Sequence, residues 1–88
     1  MYISKEKTRK INALILRTKV HTRKAAFAVG EGQAMVHLDH WTIAHYSHLA
    51  VQALLGDKYS RDMVEEAKDQ GVEEAAYLWN HYVGSEFA

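Results

Sequence analysis

The chain contains no cysteine, so no disulfide can staple it and no thiolate can build a zinc or redox site into it. Whatever fold its 88 residues adopt must therefore be held by packing alone. Two ordinary domains of ~100–150 residues do not fit in that length, and a single domain over residues 1–88 is expected. A chain this short buries only roughly 60–65% of the surface its unfolded form exposes, so a partner or a second copy would add to its stability. Hydrophobic residues make up 48% of it, with two Trp, five Tyr and two Phe, which is too apolar for a disordered tail.

The apolar pattern changes along the chain. From Ser4 to about Val20, Ile11, Leu14, Ile15 and Thr18 recur at three- and four-residue spacing among Lys and Arg, which predicts an amphipathic basic helix with Ser4 as its cap. The run Ala13 to Leu16 alone would also suit a strand. From Thr22 to Leu38 the period drops to two: Ala25, Phe27 and Val29 alternate before Gly30-Glu31-Gly32, and Ala34, Val36 and Leu38 after it. That predicts a β-hairpin pairing Phe27 and Val29 with Val36 and Leu38, laid against helices because a lone ribbon is barely stable.

A helix follows from an Asp39 cap to Leu55, closed by Gly56, with Ile43, Tyr46, Leu49, Ala50, Ala53 and Leu54 on its inner face. Ser60 is expected to cap a short helix through Met63, Val64 and Ala67 that stops at Gly71. A last helix runs from Val72 to about Val83, with Glu73 and Glu74 in its first turn, Val72, Ala76, Leu78, Trp79 and Val83 inward, and Gly84 at its end. The expected class is α+β: a basic N-terminal helix, one β-hairpin, then three helices.

The zero net charge conceals a division. Residues 1–24 carry eight bases against Glu6, a balance of +7, and residues 25–88 carry three bases against ten acids, a balance of −7. Such asymmetry points to an anionic partner for one end, to contact between copies, or to two halves that neutralise each other on folding. Nucleic acid is one candidate anion for the basic residues 5–24. Only Tyr2 is aromatic before Phe27, so a duplex suits that segment better than a stacked single strand. The last two helices, joined through Gly71, resemble a DNA-binding helix-turn-helix. Their second helix, however, opens on Glu73 and Glu74 and holds no Lys or Arg, which fits a packed helical hairpin instead.

Four histidines fall in one short segment, His37, His40, His45 and His48. His45 and His48 share a helical side, and His37, Asp39 or His40 could complete a tetrahedral metal site. The spacing is not that of the helical zinc motif, which sets two histidines four apart around a glutamate. A partner-facing or pH-sensitive patch accounts for the same residues. Trp41, His45, His48 and Gln52 lie opposite the inner face of their helix, the profile of an interface anchor, although Trp41 could equally fold back over the core.

No nucleophile motif, phosphate-cradling loop or cofactor fingerprint is present, and so short a chain offers little room for a pocket of ~300 Å³. Neither catalysis nor a cofactor is expected. Residues 1–10 lack the apolar core of a secretory signal, and no apolar run approaches the ~18–20 residues of a membrane span, so a cytoplasmic protein with no membrane partner is expected. The expected role is a small regulator, adaptor or inhibitor of a larger protein, of a kind common among phage-encoded accessory proteins that act on host machinery. Its docking residues would be Trp41, His45, His48 and Gln52 together with Arg9, Lys10 and Arg17 of the basic helix.

Overall fold

Residues 22–38, expected as a β-hairpin, are instead the end of one helix, a short turn at 31–33 and the start of a second helix, and the protein is an all-helical domain with no strand among the residues described. The structure, a computed structural model, describes residues 3–87, and Tyr2 lies outside them. Helix α1 runs Lys5–Gly30, α2 Ala34–Leu54, α3 Lys58–Asp69 and α4 Glu73–Leu78. A π-helical turn, Trp79–Val83, and a 3-10 turn, Gly84–Glu86, follow without a break.

Two correctly read features frame the misread one. Ser4 caps α1, its Oγ accepting from the Lys7 amide at 3.1 Å, and α2 ends before Gly56 as expected. Between them, α1 continues ten residues past Val20, because the segment from Thr22 to Ala28 consists mostly of residues that a helix tolerates or favours and contains no proline. Gly30, Glu31 and Gly32 end a helix and do not turn a ribbon. Gly32 takes φ +71°, a left-handed conformation natural to glycine, and the Gln33 amide bonds back to the Ala28 carbonyl at 2.8 Å. The cap of α2 accordingly falls at Gln33, and Asp39 is an exposed interior residue of that helix.

The two long helices pack antiparallel along paired seams. On α1 the seam is Ile11, Leu14, Thr18, His21, Ala25 and Ala28, and on α2 it is His37, His40, Ala44, Ser47, Val51 and Leu54. Every one of these side chains is buried or half-buried. The spacing alternates three and four, the coiled-coil repeat. Two contacts fix the register: His21 Nδ1 meets His40 Nδ1 at 2.8 Å, and His37 Nδ1 donates to the Ala25 carbonyl at 2.9 Å. The period of two read through Phe27 and Val29 was misleading, since both are exposed while Ala25 and Ala28, three apart, are buried.

The large apolar residues of the core gather at one end. Ile11 and Leu14 of α1, Val51 and Leu54 of α2, and Leu78 and Val83 near the C-terminus form one cluster. Val64, Ala67 and Ala75 form a second, joined to the first through the half-buried Tyr46 and Trp79. In the last segment the buried positions are Ala75, Leu78 and Val83, whereas Val72, Ala76 and Trp79, expected inside, are half-buried. The π-helical turn lays the Trp79 indole against Gly84, where a Cβ would come within 2.8 Å of its Nε1, so only glycine fits there. Helix α3 begins at Lys58, two residues before the expected Ser60 cap, and the Ser60 hydroxyl donates to Asp57 Oδ2 at 2.6 Å.

At 1.5 Å per residue α1 is about 39 Å long, close to the 43 Å long axis of the molecule. Helices α3 and α4 pack chiefly on the C-terminal half of α2. The remainder of α1 and the start of α2 form a two-helix arm. Among the described residues, no helix is long and apolar enough to cross a membrane.

Candidate functional site

In the arm, the usual distribution of side-chain size is reversed. Its seam holds Thr, His, Ala and Ser, while Phe27, Val29, Met35, Leu38 and Trp41 are at least half exposed. Small residues between two helices let the backbones approach closely, and the bulky ones are then left on the outside.

One side of the arm carries a groove between α1 and α2. Its outer lobe, about 520 Å³, is floored by Thr18, Thr22, Ala25 and Ala44 and walled by Ala26, His37, Trp41, His45 and His48. A second lobe of about 370 Å³ shares Thr18 and His48 with the first and extends past Ile15, Lys19, Gln52 and Leu55. Room for a pocket therefore exists, against the expectation from chain length. The floor is less polar than its residue names suggest. Thr18 Oγ1 donates to the Leu14 carbonyl at 2.8 Å and Thr22 Oγ1 to the Thr18 carbonyl at 2.7 Å, so each threonine uses its hydroxyl on its own helix and presents mainly its methyl.

The four α2 residues singled out from sequence, Trp41, His45, His48 and Gln52, all line this groove. Trp41 and His45, four apart, stack with ring centroids 4.9 Å apart and planes within 6°. Tyr46 meets His45 edge-on at 5.1 Å, which fixes the wall from behind. Trp41 is 50% exposed. Of its partners across the groove, Thr18 stands in the helical spacing that the sequence shows, while Thr22 and Ala26 fall in the stretch whose apolar residues alternate. The seam periodicity that would have revealed them is carried by small and polar residues.

The basic residues fare differently. Arg17 is tied down on the far side of α1: its guanidinium pairs with Glu74, reaches Ser47 Oγ at 3.4 Å and lies 5.1 Å above the Tyr77 ring. Lys10 donates to Ser85 Oγ at 3.2 Å and lies 3.6 Å from Glu86. Part of the charge division is thus neutralised internally, which removes two of the eight bases from any anionic partner. Arg9 is exposed, without an ion-pair partner among the described residues.

The histidines do not assemble into one cluster. His37 binds the Ala25 carbonyl, His40 binds His21, and His45 stacks on Trp41. Among the described residues, no three His, Asp or Glu side chains converge as a metal set. The His21–His40 contact requires one Nδ1 to donate and the other to accept, so it tolerates at most one proton between the two facing nitrogens.

Burial first, then the charges of His40, Arg17 and Lys24, hold the His21 imidazole below its usual value of 6.5. The unfolded chain therefore binds a proton at His21 more readily than the folded one, and the stability this contact contributes is present above pH 6.5 and lost as pH falls below it. The urea midpoint should drop on acidification through that window, and His21→Asn, which keeps a polar group near Nδ1 but cannot titrate, should drop less. Equal slopes for the two proteins would dismiss the pair as the cause.

Comparison with protein-family models, with curated proteins and with solved structures yields no match for this chain.

Proposed function

We propose that the chain is a small protein-recognition module, a regulator, adaptor or inhibitor, that holds a larger partner protein in the α1–α2 groove. The observation that carries this reading is the exposed aromatic wall of the groove, Trp41 stacked on His45, on an arm whose seam holds alanine, serine, threonine and histidine while its large apolar side chains face outward. Folding alone favours the opposite arrangement, since burying a Phe, Leu or Met side chain contributes about 1.5–3 kcal/mol. Of the arm's most exposed large apolar residues, Trp41 lines the groove, whereas Phe27 lines a separate lobe with Arg23, Lys24 and Val36; exposed apolar surface rimmed by polar groups is the mark of an interaction face. The stacked Trp41 and His45 supply a rigid aromatic wall, and tryptophan is the residue type most enriched among binding hot spots.

Trp41→Ala tests the reading. Because Trp41 is half exposed and outside both core clusters, the melting temperature should move by only a few degrees. Affinity for a partner captured by the unaltered protein should fall by about 2 kcal/mol, roughly thirty-fold. A protein that melts far lower would return Trp41 to a structural role, and one that binds its partner undiminished would move the recognition face elsewhere.

A further inference from the structure

We infer that the occupant of the groove is an acidic amphipathic helix of the partner protein; this rests on the groove being the recognition face. Three features of the groove carry it. Its shape suits a helix: from His37 to Gln52 it follows α2 for about 22 Å at 1.5 Å per residue, roughly four turns. Its floor of alanine and threonine methyl groups leaves space for the apolar side chains of a third helix, in the manner of helix-in-groove recognition.

The third feature is charge. No Asp or Glu lines either lobe. The groove presents the exposed Lys19 and the imidazoles of His37, His45 and His48. Carboxylates flanking the apolar stripe of an incoming helix would meet these groups, and carboxylates on the groove itself are absent where they would repel them.

A second copy of the chain is a poorer occupant. Its acidic helix is α3, whose apolar residues Val64 and Ala67 are already buried within its own fold. Of its remaining acids, Glu74 and Glu86 are already paired with Arg17 and Lys10. Groove-to-groove pairing would set Lys19 against its own copy, and like charges at such contacts are unfavourable.

The test is selection from a display library of amphipathic helices whose polar positions are randomised, with the unaltered protein as bait. Enriched sequences should carry Asp or Glu beside an apolar stripe of three- and four-residue spacing. A synthetic peptide of the winning sequence should lose about tenfold in affinity on Lys19→Glu, and a similar factor between low and moderate salt. The substituted position is exposed, so the melting temperature should hold. Enrichment of basic or uncharged helices, no enrichment of helices, or indifference to the charge reversal would overturn the inference. So would a chain that is dimeric in solution with the groove protected from exchange. If uncharged helices win and still depend on Trp41, the acidic partner falls while the recognition face stands; if binding is independent of Trp41, both fall.

Discussion

Leu54→Ala is expected to cost about 3–4 kcal/mol of folding free energy, within the range seen when a fully buried leucine is truncated. Leu54 is the last residue of α2, completely buried, and it meets Ile11 and Leu14 of α1 and Leu78 and Val83 of the C-terminal segment in one cluster. A domain of this size has a total stability on the order of 4–13 kcal/mol, so the loss removes a large part of it. The melting temperature should fall by roughly 12–32 °C, at about 4–8 °C per kcal/mol. Urea titration followed by circular dichroism measures the effect. A loss under 1 kcal/mol would mean that the large apolar core is not where the structure puts it.

Arg17→Ala should be the most damaging change at a charged residue, costing about 2–4 kcal/mol. The guanidinium joins three elements, reaching from α1 to Ser47 on α2 and to both Glu74 and Tyr77 on α4. Its removal leaves the Glu74 carboxylate mostly covered, with its side chain only 16% accessible, and strands the Ser47 hydroxyl, whose residue is fully buried. The penalty arises from those two unpaired groups more than from the lost attraction. Arg17→Ala with Glu74→Ala should therefore be less unstable than the sum of the two single changes. Additive losses in that double-mutant cycle would show the pair to be energetically independent. This internal role also accounts for why the expected use of Arg17 as a docking residue finds no support in its surroundings.

The chain announced its helices where large apolar residues mark the inner face. Leu49, Ala50, Ala53 and Leu54, with Gly56 behind them, made α2 legible from about Asp39 onward, and the outward side of that stretch, Trp41 through Gln52, was legible with it. The failure lies in the arm. There the seam positions are Thr18, His21, Ala25 and Ala28 against His37, His40, Ala44 and Ser47, small or polar residues that mark an inner face only weakly. The residues that do register, Phe27, Val29, Val36 and Leu38, are exposed and happen to alternate. A reading that equates large apolar residues with the interior inverts such a segment and returns a ribbon. The three-four alternation from Ile11 to Ala28 was present throughout, but only for a reader who counts alanine, threonine and histidine as seam residues.

The same inversion supplies the functional argument. Burying an alanine contributes little, so the arm is held by close helix contact and by the two histidine bonds, and its bulky apolar side chains remain available to another molecule. Coupling a weakly held element to a binding face is common, because the partner then supplies the missing burial.

The most direct check on the groove as the recognition face is to fill it without disturbing the fold. Ala26 is exposed on α1 and forms part of the wall of the outer lobe facing Trp41. Ala26→Trp at this open helical position should cost no more than about 0.7 kcal/mol in helix propensity, leaving the circular dichroism spectrum and melting temperature nearly unchanged. Titration of that variant with a partner captured by the unaltered protein should show binding weakened at least tenfold. Unchanged affinity in a stably folded Ala26→Trp protein would contradict the account and place recognition on another surface.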